Sequence, residues 1–198
     1  MILNPDVIQL FKLVNDDLNK ISFEFNKKNS LYIPLFSTAI DHCLSIHILE
    51  SNNLYSSSFA LARPVLESYL RAMWVKFHLN ENQIDEGCEK LHFPKNIDVL
   101  ISDIKAHEYN ENILFVEKQI SHTIANLHDF THGGIQSMAR QYDSDGNLTN
   151  AYSSVERKEL LMFTLFITKF SYVELSKFIE TPNNELILKC AEKLINKL

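Results

Sequence analysis

The chain has 198 residues, 45% apolar and 22% charged, ordinary for a folded domain and long enough for one sizeable core. A net charge of −6 removes any overall electrostatic drive toward nucleic acid or an anionic membrane and leaves only a local basic cleft. Only 4 Gly and 5 Pro predict long helices and few turns, and the cysteines Cys43, Cys88 and Cys190, without CxxC spacing, read as reduced thiols of a cytoplasmic protein.

The opening MILNPDVIQLF has no basic n-region and no small-residue cleavage site, so no signal peptide is expected. Asn4-Pro5-Asp6 is a helix start: a cap, a proline for the first position, and an acid at the positive helix end. Apolar residues from Val7 to Phe25 at a 3.6 spacing predict a helix over 5–28. Ser30 offers the next cap, and a largely buried helix is predicted over 31–51, with Pro34 in its first turn. Asn52-Asn53 is a short turn, so a third helix over 54–79 should lie antiparallel to the second. Pro64 inside it predicts a local kink. A short helix over 83–91 and amphipathic helices over 96–108 and 111–130 follow. Gly133-Gly134 interrupts, helix can resume over 135–141, and 142–150 (YDSDGNLTN) is a loop. A Phe-rich helix is predicted over 153–179; Lys169 and Glu174 interrupt its apolar run, so it reads as a core helix and not a membrane span. A last helix covers 185–196. The expected fold is a single all-α domain over 1–198. It is a bundle of six to seven helices, built around the second, third and fifth and the Phe-rich helix over 153–179. The terminal helices (1–30 and 181–198) are candidates for peripheral positions.

The third helix carries an unusual stripe. At about 100° per residue, Arg63, Trp74, Glu67, His78 and Arg71 fall within roughly 80° of one another. Most of the remaining circumference is apolar, Lys76 being the one plainly solvent-seeking residue, which marks a central helix. Its charges must be paired or face a cleft, because an unpaired buried charge is too costly. One reading is a ladder in which Glu67 bridges Arg63 and Arg71. The other is an anion or phosphate site, since two guanidiniums against one carboxylate leave positive charge and spare donors.

A second stripe lies in LHDFTHGGIQSMAR (127–140), where His128, His132, Gln136 and Arg140 recur every four residues. If helix breaks at Gly133, the amides of Gly133 and Gly134 could serve an anionic group. The two stripes are expected to face one another across the bundle. His128 and His132 read either as a hydrogen-bonded structural pair or as two metal ligands, with His42, Asp41 or Glu67 as a third only if the fold brings them close. No HExxH pattern is present, so no resident metal or cofactor is assigned.

The segments SFALARPVLESYLRAMW (58–74) and LHDFTHGGIQSMAR (127–140) resemble an uncharacterised bacterial family of this length, through its Arg-Pro-x-x-Glu-x-Tyr-x-Arg-x-x-Trp helix and a later Thr-His-Gly-Gly. The resemblance covers roughly 35–180 and implies no activity. More distantly, the chain resembles HEPN domains, small helical bundles, often dimeric, many of them metal-independent ribonucleases of toxin or phage-defence systems. Their motif is Arg, four to six residues, then His. Arg71 and His78 have that spacing; Ala72 departs from the polar residue those enzymes carry after the Arg. The resemblance implies a homodimer acting on RNA or a nucleotide, with no membrane partner. Arg71 and His78 would be the catalytic pair, and Arg63, Glu67, His128, His132, Gly133 and Arg140 would shape or bind the ligand. Two other classes stand beside it. One is a non-enzymatic sensor or interaction module with structural stripes. The other is a metal-dependent phosphohydrolase through His128, Asp129 and His132, a run similar to that of the helical HD phosphohydrolases.

Overall fold

Asn4 does open the first helix: its side chain accepts the Asp6 amide at 2.9 Å, ahead of Pro5. The structure is a computed structural model that describes residues 4–23, 26–79, 84, 93–94, 96–107, 114, 116, 118, 129–149 and 151–198. Its helices are α1 (Pro5–Leu18), α2 (Lys27–Ser51), α3 (Tyr55–Phe77), α4 (Ile97–His107), α5 (Ile135–Ala139), α6 (Ser154–Leu175) and α7 (Asn184–Ile195). A 3-10 turn, Ser176–Phe178, follows α6. The fold is all-α. Among the described residues there is no strand, only a single bridge between Tyr142 and Leu148. The helix expected over 83–91 and most of the one over 111–130, with His122 and His128, lie outside the described residues.

Two boundaries differ from the periodicity, one beside a tertiary bond and the other through a local cap. The first helix stops at Leu18, ten residues early, because the chain is pulled out by tertiary contacts: the Ser22 amide donates to the Phe178 carbonyl at 3.0 Å. The second helix begins at Lys27, because Asn26 accepts the Asn29 amide at 2.7 Å and so takes the capping role expected of Ser30. Pro34 therefore lies beyond the first turn.

The core is one continuous cluster drawn mainly from α1–α4, α6 and α7, while Ile135 and Met138 of α5 are exposed. Helix α2 packs along α3 and α6, α3 also meets α4 and α6, and α7 joins α1 to α6. A capping box fixes the start of α6, with Ser153 accepting the Glu156 amide and Glu156 accepting the Ser153 amide. Several of the polar groups buried between helices are paired, while the buried Thr168 and Ser171 hydroxyls have no hydrogen-bond partner among the described residues. Glu50, 4% exposed, accepts from Ser58 at 2.7 Å and from Arg157 at 2.9 Å. His47 lies 2.9 Å from the Thr164 hydroxyl, and burial pushes its pKa down to about 4. Glu174, the residue that interrupts the apolar run of α6, pairs with Lys76 of α3 and with Lys177 at 2.7 Å. Lys76 is thus a half-buried ion-pair partner instead of the solvated residue its sequence context suggests.

Asp17 ties the two ends of the chain to the bundle. It is fully buried and accepts the Tyr172 hydroxyl at 2.7 Å, the Asn183 amide at 2.7 Å, the Asn183 side chain at 2.6 Å and Lys20 at 2.9 Å. Burial alone would raise its pKa, but the donors from Lys20, Tyr172 and Asn183 outweigh burial and leave it below the ordinary value. Its contribution to stability is therefore complete above the unfolded value near pH 4 and is lost as pH falls through the lower folded pKa. Asp17→Ala should cost about 3–5 kcal/mol, since it strands buried donors. It should also flatten the acid limb of stability against pH. Urea unfolding between pH 7 and pH 3 measures both, and an unchanged acid limb would remove Asp17 from this role.

Candidate functional site

The stripe on α3 is built as a chain of side-chain contacts. Arg63 donates through Nε to Glu67 Oε1 at 2.7 Å, and Arg71 donates through Nη2 to Glu67 Oε2 at 2.9 Å. Helical spacing makes this possible: the three residues sit four apart, so their side chains overlie one another on one face. None is fully buried; their side chains are 20% (Arg63), 22% (Glu67) and 35% (Arg71) exposed. The Arg71 guanidinium also lies 5.5 Å from the centroid of the Phe93 ring. Its Nε is buried and has no hydrogen-bond partner among the described residues.

One turn further on, Trp74 is buried and its indole N–H donates to Asp103 of α4 at 2.9 Å. His78, the residue that ends α3, stacks on that indole, with ring centroids 5.0 Å apart and planes 21° apart. Phe93 meets the Trp74 ring edge-on. Arg71 is thus oriented by Glu67, and His78 by an indole that α4 holds in place.

The Thr-His-Gly-Gly segment has a different role. The Gly134 amide donates to the Asp129 carbonyl at 2.7 Å, and Gly133 has φ +68°. This is the bonding of a Schellman helix end, with glycine at the left-handed position. The Gly134 amide is therefore used within the chain, which corrects the expectation that it would serve an anion. A side chain at Gly134 would come within 2.5 Å of the Asp129 carboxylate, so Asp129 needs glycine there. His132 is exposed. Arg140 bonds Glu156 at the start of α6 at 3.0 Å and covers the Phe130 ring at 5.0 Å, which occupies it in fixing the loop.

The Thr131 hydroxyl donates to the backbone carbonyl of Ala60 at 3.3 Å. Ala60 lies four residues before Pro64, which has no N–H to offer it. Thr131 thus supplies a donor to the carbonyl that the proline leaves open. Phe130 packs on Phe59 beside this bond, and Gln141 donates to Ser56 at 2.8 Å. The segment 129–141 meets α3 at its N-terminal half through Thr131, Phe130 and Gln141, none of which belongs to either stripe. At 1.5 Å per residue, Arg71 lies roughly 16 Å and His78 roughly 27 Å further along the axis from Ala60. The segment 129–141 therefore braces α3, and the Arg71–His78 end stands against α4 and Phe93.

Some of these partners are invisible to sequence reasoning. Trp74 on a core helix needs an acceptor for its N–H, but nothing local names Asp103, and Glu156 and Phe93 are equally remote in sequence. Among the described residues, no three His, Cys, Asp or Glu side chains gather as metal ligands do. No helix among them is long and apolar enough to cross a membrane.

The fold and the stripe define an all-helical bundle protein with a charged, part-open seam on its central helix. The chain belongs to a family of unknown function (DUF6988), whose model matches residues 36–171. That span runs from α2 into α6, includes both the 58–74 and 127–140 segments, and leaves α1 and α7 outside. No curated protein and no solved structure matches the chain.

Thr131→Val should cost about 1 kcal/mol in otherwise native protein, the worth of one hydrogen bond. In a Pro64→Ala background, where residue 64 again offers its N–H to Ala60, the same change should cost measurably less. A double-mutant cycle in urea reads this coupling, and strict additivity would mean that Thr131 does not serve the proline. Glu67→Gln should cost about 1–3 kcal/mol, because charge-assisted bonds are lost from a site that solvent still reaches. A loss near zero would mean that the ladder does not form in solution.

Proposed function

We propose that this chain is a HEPN-like protein that cleaves RNA without a metal, with Arg71 and His78 as the catalytic pair. The observation that carries the reading is that each of the two groups is held by its own partner. Glu67 fixes the Arg71 guanidinium while leaving it spare donors, and the Asp103-anchored indole of Trp74 holds the His78 ring flat. Preorganised charge and a positioned proton carrier are what phosphodiester cleavage needs. In the reaction, the 2′-hydroxyl of the RNA attacks the adjacent phosphorus, His78 takes its proton and passes it to the departing 5′-oxygen as the P–O5′ bond breaks to leave a 2′,3′-cyclic phosphate, and Arg71 stabilises the extra negative charge on the phosphorane. The residues around this end of α3 supply the positioning, and the segment 129–141 supports the N-terminal half of the same helix.

The second reading is a non-enzymatic interaction module. It is favoured by one specific observation: both oxygens of Glu67 are already used by the two arginines, so the ladder is internally satisfied on its acidic side.

Arg71→Ala and His78→Ala separate the two readings. Each should lower cleavage of a single-stranded RNA on the order of 10²–10⁴-fold, the usual worth of a positioned proton-transfer group or charge stabiliser. Melting curves check that both variants remain folded. Wild-type protein that never cleaves RNA, or folded variants that cleave as well as wild type, would leave the interaction module as the better account.

A further inference from the structure

Glu67 holds two guanidiniums and can neutralise only one. Arg63 uses its Nε on Glu67, and neither of its terminal nitrogens has a partner among the described residues. Arg71 uses Nη2, and its buried Nε has no partner among them either. Because each arginine bonds a different oxygen of one carboxylate, their guanidiniums flank it although the residues are two turns apart. The three side chains together carry one net positive charge and are part-open to solvent; the Arg71 Nε is buried, so the donors a ligand can reach are terminal nitrogens. A guanidinium fork matches the oxygens of one phosphate. Two forks set against a common carboxylate match two phosphates that are linked to one another.

We infer that Arg63 and Arg71 together form a site for two neighbouring phosphate groups, joined through a ribose in an RNA backbone or directly in a nucleoside diphosphate, with Glu67 holding the two guanidiniums in register. The inference rests on the reading above for its placement: with Arg71 at the phosphate under attack, Arg63 takes the neighbouring phosphate. It assigns to Arg63 a binding role that the Arg71–His78 pair does not require. It also explains why a half-buried face would carry a second arginine whose Nη donors are idle.

Calorimetry on the full chain tests it, with orthophosphate, pyrophosphate, ADP and a non-cleavable 2′-O-methyl oligoribonucleotide as probes. Wild type should bind pyrophosphate more tightly than orthophosphate. Arg63→Gln should weaken pyrophosphate by about tenfold or more, the worth of a charged hydrogen bond, and orthophosphate much less. With the oligoribonucleotide, the same change should lower the slope of log affinity against log salt by about 1. Beside the loss on pyrophosphate, a loss on the oligoribonucleotide and not on ADP identifies RNA as the source of the phosphates, and a loss on ADP and not on the oligoribonucleotide identifies a nucleotide. Should Arg63→Gln fail to fold, Arg63→Lys keeps the charge without the fork and should show an intermediate loss on pyrophosphate. Pyrophosphate that binds no better than orthophosphate, or binding unchanged in a folded Arg63 variant, overturns the site. RNA cleavage measured on the same samples keeps the two claims apart. Linked-phosphate binding without cleavage would remove the catalytic reading and leave this one. Cleavage with binding indifferent to Arg63 would do the reverse.

Discussion

A helix that forms the middle of a core has nowhere to hide a charge or a broken backbone bond, and α3 carries both. Its buried face, from Phe59 through Leu66, Leu70 and Met73, is committed to the core, where α3 packs on α2, α4 and α6. Every polar feature it brings must then be met by something specific. Glu67 meets Arg63 and Arg71, Asp103 meets Trp74, Glu174 meets Lys76, and Thr131 meets the carbonyl freed by Pro64. The neighbouring elements are placed by these obligations as much as by apolar packing.

The partners fall into two groups with different consequences. At the N-terminal half of α3, the 129–141 segment brings a hydroxyl, an aromatic ring and an amide to the helix, and closes its own end with a Schellman turn. Its arginine is spent on Glu156, and its Gly134 amide on Asp129. That end is a brace. Further along, Glu67 holds Arg71 and the Trp74 indole holds His78, and Arg71 keeps a terminal donor in reserve. Rigid support with unspent hydrogen-bonding capacity is the arrangement that a site needs and that a brace does not.

Much of this order was legible in the sequence. The helical class followed from scarce glycine and proline and from the 3.6 spacing, and the helices at 55–77, 97–107 and 154–175 fall close to their expected limits. The Arg63–Glu67–Arg71 contacts followed from spacing alone, because residues four apart on a helix are neighbours. What could not be read is whatever depends on distant partners. The first helix ends early because Ser22 pairs with Phe178. The buried Asp17 looks like any surface aspartate in its own segment. Lys76 seemed destined for solvent until Glu174 came to it from another helix. The Thr-His-Gly-Gly run suggested chemistry because its residue types are those of sites, yet Thr131 and the two glycines solve backbone problems. Composition cannot separate these uses; only the bond made by each group does.

The central claim is that the Arg71–His78 end of α3 handles RNA. Trp74, the only tryptophan in the chain, lies between those two residues and reports on that end alone. The most direct measurement is its emission while a non-cleavable oligoribonucleotide is titrated into wild-type protein. The account predicts a saturable change in intensity or wavelength that follows binding. Binding that leaves the tryptophan emission unmoved would put the RNA elsewhere on the molecule, and an absence of binding would contradict the account altogether.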